Sequence, residues 1–76
     1  MNWQDYIISD ELVLAGKPIL KGTRISVEVI LELLASGWTK QQILESYPSL
    51  SEESLLAIFS YLKDCIRHEL YFPISA

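Results

Sequence analysis

From residue 26 onward, apolar residues recur every three or four positions, which is the spacing of one face of an α-helix. The first group of apolar residues falls at positions i, i+3, i+4 and i+7 of one helical face: Val27, Ile30, Leu31 and Leu34. Ser26 precedes this group and its hydroxyl can cap a helix, while Gly37 follows the group at a position where helices commonly stop. The pattern predicts a first helix over residues 27 to 36.

A second, shorter helix is predicted from its end signals. Thr39 and Gln42 have the spacing of a capping box, in which each side chain accepts a hydrogen bond from the other residue's backbone N–H. Pro48 disfavours helical geometry at Tyr47 and therefore ends the helix before it. We expect this helix over residues 40 to 46.

Ser51 opens a third helix, which is predicted to be the longest. Glu52 and Glu53 lie in its first turn, where carboxylates are favoured by the helix dipole. Its apolar residues continue at helical spacing: Leu55, Ile58, Phe59, Leu62 and Ile66. The pattern predicts a helix over residues 52 to 69, and Pro73 ends any continuation.

The first 25 residues lack helical periodicity. Three short runs are β-prone and predict short strands: Tyr6 to Ile8, Leu12 to Leu14, and Ile19 to Leu20. Gly16 and Gly22 mark turns that call for positive φ, and Pro18 restricts Lys17 to extended geometry. The segment is therefore predicted to form short strands joined by turns, with the last turn leading to Ser26.

These elements predict one mainly α domain over residues 1–76. Short strands or a hairpin occupy residues 1–25, three helices occupy residues 26–70, and residues 71–76 form a tail. The second and third helices and the turn between them have the outline of a helix-turn-helix, and the three helices are expected to stack on one another.

Composition adds an expectation of self-association. A domain of 76 residues buries only about 60% of the surface of its unfolded chain, and 50% of these residues are apolar. The surplus should form an exposed apolar patch of the kind that marks an interface. We expect a homodimer supported by Trp3, Tyr6, Tyr71 and Phe72, although the role of the tail, which also holds Pro73 and Ile74, is open.

The remaining composition favours a cytoplasmic protein. Cys65 is the only cysteine, so the chain has no internal disulfide, and a single histidine excludes the ligand set of a structural zinc site. No apolar run approaches the about 18 residues of a membrane span, and the N-terminus lacks the features of a secretion signal. No cofactor is indicated.

An enzyme is not expected. His68 is the only general base near neutral pH, and Asp64 and Cys65 precede it by four and three residues on the predicted helix. A hydrolase would also need an oxyanion site and an orienting group. A surface histidine favoured by the helix dipole explains this group better.

The charge distribution argues against a standard DNA-binding helix. The net charge is −4, and the third helix begins with Glu52 and Glu53 where a recognition helix would meet DNA. No Lys or Arg stands between Lys40 and Lys63. DNA binding by the isolated chain is therefore expected to be weak.

Three of the six basic residues are concentrated in the stretch GKPILKGTRI, residues 16 to 25. Lys17, Lys21 and Arg24 on turns can bind phosphate or the carboxylates of a partner, with Lys40 as a further contact. In the alternative reading, Gly16, Pro18 and Gly22, like Gly37 and Pro48 further on, serve backbone geometry. Arg24 would then tie the loop to a carboxylate or to main-chain carbonyls.

Residues 16 to 62 closely resemble the small, mostly bacterial family called domain of unknown function 433. The resemblance rests on a Gly-Lys-Pro, apolar pair, Gly-Thr-Arg segment, followed by a helix, a Gly, a short helix and a Tyr-Pro-x-Leu turn. The matching residues stand in order: Gly16, Lys17, Pro18, Gly22, Thr23, Arg24, Gly37, Tyr47, Pro48 and Leu50. Leu14-Ala15 departs from the pattern, because a second Gly is common before Gly16.

The resemblance implies a homeodomain-like three-helix unit after short strands, and an antitoxin whose partner is a PIN-type ribonuclease toxin. It implies no catalytic residues. Three hypotheses follow: an antitoxin-like protein that masks the ribonuclease and can regulate its own operon, a stand-alone helix-turn-helix transcription factor, or a small oligomeric scaffold that binds no nucleic acid.

Overall fold

The computed structural model describes residues 1–68 of the chain. The chain forms two short strands and then three α-helices: β1 (Ile7–Ile8), β2 (Ile19–Leu20), α1 (Val27–Ala35), α2 (Lys40–Ser46) and α3 (Glu52–Arg67). Short 3-10 turns lie at Trp3–Asp5, before β1, and at Leu14–Gly16, between the strands. The predicted mainly α fold, with three helices after a short hairpin, is confirmed. Within residues 1–68, no helix is long and apolar enough to cross a membrane.

The two strands pair antiparallel and lead directly into α1. Ile7 lies opposite Leu20, and Ile8 lies opposite Ile19. Ile19 also forms an isolated bridge with Ser26, and the Val27 N–H donates to the Pro18 carbonyl at 3.0 Å. The hairpin therefore fixes where the first helix begins.

Side-chain caps fix the starts of the helices. The Ser26 hydroxyl accepts a hydrogen bond from the Val29 N–H at 3.0 Å. Thr39 and Gln42 form the predicted capping box, with bonds of 3.1 Å and 2.8 Å. Accordingly, α2 has the predicted bounds and α1 ends one residue earlier than predicted. α3 ends at Arg67, two residues before its predicted end at residue 69, which itself lies outside the described residues.

The predicted strand over Leu12 to Leu14 is wrong. Asp10 turns the chain there, because its side chain accepts from the Leu12 N–H at 2.9 Å and its carbonyl accepts from the Val13 N–H at 2.9 Å. Leu12 is 91% exposed, so the apolar run has no sheet or core to pack against. A local side-chain turn prevails over the β propensity of the residues that follow it.

Backbone strain is concentrated at the end of this segment. Leu14 has φ 50° and Ala15 has φ 56°, and both precede Gly16 at φ 82°. The left-handed region costs a non-glycine residue about 1 kcal/mol or more, because Cβ approaches the carbonyl oxygen. Ala15 therefore occupies a conformation better suited to glycine.

Replacing Ala15 with glycine should raise the free energy of unfolding by about 0.5 to 1 kcal/mol, since the relief of strain exceeds the added freedom of the unfolded chain. Urea denaturation at fixed protein concentration measures the change. The matched control is Ala35→Gly at the end of α1, which should lower stability because Ala35 has no positive φ. A loss of stability in Ala15→Gly would contradict the strain at this position.

The three helices meet in one apolar core. Each contributes one isoleucine that is 0% exposed: Ile30 from α1, Ile43 from α2 and Ile58 from α3. Leu20 from the hairpin joins them at 2% exposure. The hairpin is thus part of the core, and the loop that connects it to α1 is held from both ends.

Trp3 and Tyr6 do not form the exposed patch predicted for a dimer. Both are half-buried and pack against the core. The Trp3 indole N–H donates to Asp64 Oδ2 at 2.7 Å, and its ring meets Tyr61 edge-on, with ring centres 4.8 Å apart. Trp3 thus has partners on α3, and Tyr6 packs against the core, while their part in a homodimer stays a prediction. Tyr71 and Phe72 lie outside the described residues.

Candidate binding site

The basic stretch forms a tight turn between β2 and α1. The Thr23 N–H donates to the Leu20 carbonyl at 3.0 Å, and Gly22 at the third position of the turn has φ 81°. The predicted positive φ at Gly16 and Gly22 is confirmed, and Gly37, predicted as a helix stop, also has positive φ, at 95°. A Cβ atom at residue 22 would meet no atom within 4 Å, so the requirement for glycine there comes from backbone conformation.

Hydrogen bonds on both sides make this turn rigid. The Thr23 hydroxyl donates to the Leu20 carbonyl at 2.7 Å and accepts from the Ile25 N–H at 2.9 Å. The Lys21 N–H donates to the Tyr6 carbonyl at 2.8 Å, which ties the turn to β1. The backbone carrying Lys21 and Arg24 is therefore ordered before any ligand arrives, and ordering costs little on binding.

Two of the four predicted binding residues are neutralised within the chain. Lys17 Nζ lies 3.0 Å from Glu28 Oε1 in the first turn of α1. Lys40, at the start of α2, forms an ion pair with Glu52 at the start of α3. Hydrogen bonding and charge from Lys40 lower the pKa of the Glu52 carboxyl below its ordinary value.

Lys21 and Arg24 differ from the other two. Both side chains are exposed, and within residues 1–68 neither forms a hydrogen bond or ion pair. The expected tie from Arg24 to a carboxylate or carbonyl is thus not formed within that part of the chain. Of the four predicted residues, these two present unneutralised charge.

Sequence reasoning did not foresee the two ion pairs. Lys17 and Glu28 are eleven residues apart, and Lys40 and Glu52 are twelve apart, so neither pair has the spacing of neighbours on one helix. The sequence offered only an indirect indication of these two ion pairs. Each acid lies in the first turn of a helix, and each lysine belongs to the segment packed against that helix.

The described residues also enclose an open cavity of about 280 Å³ between the N-terminal turn and α3. Its lining residues are Trp3, Gln4, Tyr61, Asp64, Cys65 and His68. Burial raises the pKa of the Tyr61 hydroxyl, and the neighbouring Cys65 thiol raises it further. The cavity gathers the three residues considered for catalysis.

Among the described residues, Asp64 and His68 are not paired with each other. Asp64 accepts the Trp3 indole hydrogen bond instead of orienting His68, which is exposed at the end of α3. Among residues 1–68, no group of three histidine, cysteine or acidic side chains is placed to hold a metal ion. The geometry gives Asp64 a structural role, in which it anchors Trp3 to α3.

The start of α3 is acidic, as predicted. Ser51 caps it by accepting from the Ser54 N–H at 3.3 Å, and the Ser54 hydroxyl accepts from the Ser51 N–H at 3.2 Å. Glu52 and Glu53 project beside them and are exposed. The position that would read DNA in a helix-turn-helix therefore presents carboxylates.

The chain is similar to one solved structure and to one further protein sequence. A crystal structure of a DUF433 member protein from Anabaena variabilis superposes with a TM-score of 0.77 at 26% sequence identity, covering 86% of this chain and 64% of that one. The uncharacterized protein y4eO of Sinorhizobium fredii is 31% identical over 52 residues, which are 68% of this chain and 24% of that protein. The chain thus spans about a quarter of the Sinorhizobium protein and under two thirds of the Anabaena protein.

The family match covers the hairpin, the basic turn and most of the three helices. The family model, described as a protein of unknown function, matches residues 7–62. This range begins at β1 and ends within α3. The chain belongs to the DUF433 family.

Proposed function

We propose that this protein is an antitoxin-like binding protein that masks a PIN-type ribonuclease, with the turn bearing Lys21 and Arg24 as its contact. The observation that carries the proposal is the contrast among the basic residues. Lys17 and Lys40 are paired with carboxylates of the chain, whereas Lys21 and Arg24 are exposed and unpaired within residues 1–68. Charge that is not used internally is available to a partner.

The chemistry of these two side chains fits an acidic partner surface. Arginine offers a planar fork that binds a carboxylate through two hydrogen bonds, and lysine adds a point charge. A ribonuclease with an acidic active site presents clustered carboxylates, which repel one another and gain from a cation placed between them. Insertion of Arg24 would neutralise that cluster and block access of RNA.

Binding rather than catalysis is the role we assign to the domain. The Asp64 carboxylate is engaged by Trp3, and the His68 ring is exposed without an orienting acid among the described residues. The helices serve to hold the hairpin and its turn in place. We place the protein in the cytoplasm, where a ribonuclease would meet its RNA.

DNA is a weaker candidate for the same two residues. The net charge of −4 repels a polyanion, and Glu52 and Glu53 stand at the start of α3. Autoregulation of an operon would therefore depend on a complex in which a basic partner reverses the overall field. A stand-alone transcription factor fits these charges less well.

The proposal includes a homodimer. Three large apolar side chains on α3 are more than half exposed, namely Leu56, Phe59 and Ile66. A small domain that leaves this much apolar area uncovered gains stability when a partner covers it.

Removing both cations should strongly weaken ribonuclease masking. Lys21→Ala with Arg24→Ala is expected to weaken binding to the ribonuclease encoded beside the gene by about 30-fold or more, because charge pairs desolvated in an interface are costly to break. The measurements are co-purification of the two proteins and the rate of RNA cleavage with increasing amounts of each variant. About 30 times more of the double variant than of the unaltered chain should be needed for the same inhibition.

The chain offers a matched control with the same loss of charge. Lys17→Ala with Lys40→Ala removes two cations that are already paired internally, so inhibition should change by less than about threefold. Equal loss of inhibition in both double variants would show that net charge, not the turn, governs binding. Failure of the unaltered protein to bind or inhibit the ribonuclease would leave the scaffold hypothesis.

A further inference from the structure

The outer face of α3 carries an apolar stripe. Leu56, Phe59 and Ile66 are 56%, 54% and 58% exposed. Their spacings of three and seven residues place them on one side of the helix, together with the exposed Lys63. The opposite side is used by the core, where Ile58 is fully buried.

Charge is distributed unevenly along this face. Glu53 lies in the first turn of α3 and forms no ion pair within residues 1–68, whereas Lys63 and Arg67 lie toward the end of the helix. Glu52, in the same first turn, is already paired with Lys40. Glu53 and Arg67 are fourteen residues apart, which is about four helical turns, so they stand on the same flank of the stripe. The face is acidic at one end, apolar in the middle and basic at the other end.

We propose that this face binds the α3 of a second copy of the chain, with the two helices antiparallel. In that arrangement the acidic first turn of each helix lies beside the basic last turn of the other, and the apolar residues meet between them. A parallel arrangement would set acid beside acid and base beside base. The face is therefore complementary to itself in the antiparallel orientation only.

A two-fold axis adds a specific pair. Such an axis keeps each flank of one helix beside the same flank of its partner, as in antiparallel coiled coils. Glu53 of one copy would then lie near Arg67 of the other, and the pair occurs twice. Phe59, close to the middle of α3, would lie near the axis.

The contact is expected to be weak. A single helix of 16 residues is about 24 Å long and offers less than the roughly 800 Å² per partner of a standard interface. We expect a dimerisation constant in the micromolar range. This assignment rests on the proposed homodimer and names its surface.

Sedimentation velocity over a range of concentrations tests the surface on the full chain under reducing conditions. Phe59→Glu should weaken dimerisation about tenfold or more, because it buries a charge near the axis. Leu12→Glu is the matched control, since Leu12 is 91% exposed on the N-terminal segment, and should leave the dimer unchanged. Circular dichroism of both variants establishes that they remain folded.

Charge exchange tests the orientation. Glu53→Arg and Arg67→Glu should each weaken the dimer by about threefold or more, and the double variant should return it to near the original affinity. If dimerisation persists in Phe59→Glu, or if the double variant is weaker than both single ones, the antiparallel α3 surface is wrong although the homodimer stands. A chain that stays monomeric at high micromolar concentration overturns the surface and the homodimer together.

Neither outcome depends on the ribonuclease proposal, because the substitutions on α3 leave Lys21 and Arg24 intact. A monomeric variant that still inhibits the ribonuclease would separate the two surfaces. The same test distinguishes a stripe covered by another part of the same chain. In that case neither charge reversal would change the sedimentation of the protein.

Discussion

Ile30→Ala should lower the free energy of unfolding by about 3 kcal/mol. Ile30 is 0% exposed in the middle of α1, and removal of a buried isoleucine side chain typically costs 2 to 5 kcal/mol through lost transfer energy and the cavity left behind. A chain of 76 residues has a total stability of roughly 4 to 11 kcal/mol. The substitution therefore removes a large share of it, and urea denaturation should show the midpoint fall accordingly.

The neighbouring residue provides the control. Val29 lies in the same helix but is 44% exposed, so Val29→Ala should change the free energy of unfolding by less than about 1 kcal/mol. Both variants must be measured at the same protein concentration, since self-association adds to the apparent stability. Equal losses in the two variants would contradict the placement of Ile30 in the core and Val29 at the surface.

The helical part of the fold could be predicted from the sequence because its signals are local. The start of α2 depends on the bonds between Thr39 and Gln42, and its end depends on Pro48. Such contacts lie within a few residues and need no knowledge of the rest of the chain. The bounds of α2 were accordingly correct.

The N-terminal segment was harder to predict because competing local preferences have similar energies. The run Leu12 to Leu14 favours a strand by propensity, but the Asp10 side chain stabilises a turn immediately before it. The run also lacks a strand partner among the described residues, since β1 pairs with β2. Pairing between distant segments decides the outcome, and a single sequence does not display it.

The binding site was predicted in part for the same reason. The turn geometry at Gly22 follows from local chemistry and was correct. Which basic residues remain unpaired depends on contacts between segments that are distant in sequence, such as Lys17 with Glu28. The four cations were therefore indistinguishable in the sequence, and only the fold separates Lys21 and Arg24 from the other two.

Trp3 links the N-terminal segment to α3 and thereby supports the turn. It packs edge-on against Tyr61 and donates to Asp64 at 2.7 Å, sixty-one residues away. Tyr6, which lies between the Trp3–Asp5 turn and β1, accepts the Lys21 N–H at its carbonyl, so the position of the basic turn depends on this anchor. Loss of Trp3 should therefore affect both stability and the order of the turn.

Trp3→Ala should lower the free energy of unfolding by about 2 to 4 kcal/mol, through lost packing and a lost charge-assisted hydrogen bond. Trp3→Phe keeps an aromatic ring at this position but removes the indole donor and part of the ring volume, so it should cost about 1 to 2 kcal/mol. Urea denaturation measures both losses, and hydrogen exchange at the Lys21 N–H reports the order of the turn. That amide should exchange faster in Trp3→Ala than in Trp3→Phe.

A double-mutant cycle separates the hydrogen bond from the packing. If the bond to Asp64 contributes as the geometry indicates, Trp3→Phe and Asp64→Ala should be less than additive, with a coupling of about 1 kcal/mol or more. Full additivity would mean that the indole N–H and the carboxylate contribute independently. The anchor would then be the packing of Trp3 against Tyr61 alone, and Trp3→Phe should lose only the part of that packing that the smaller phenyl ring does not reproduce.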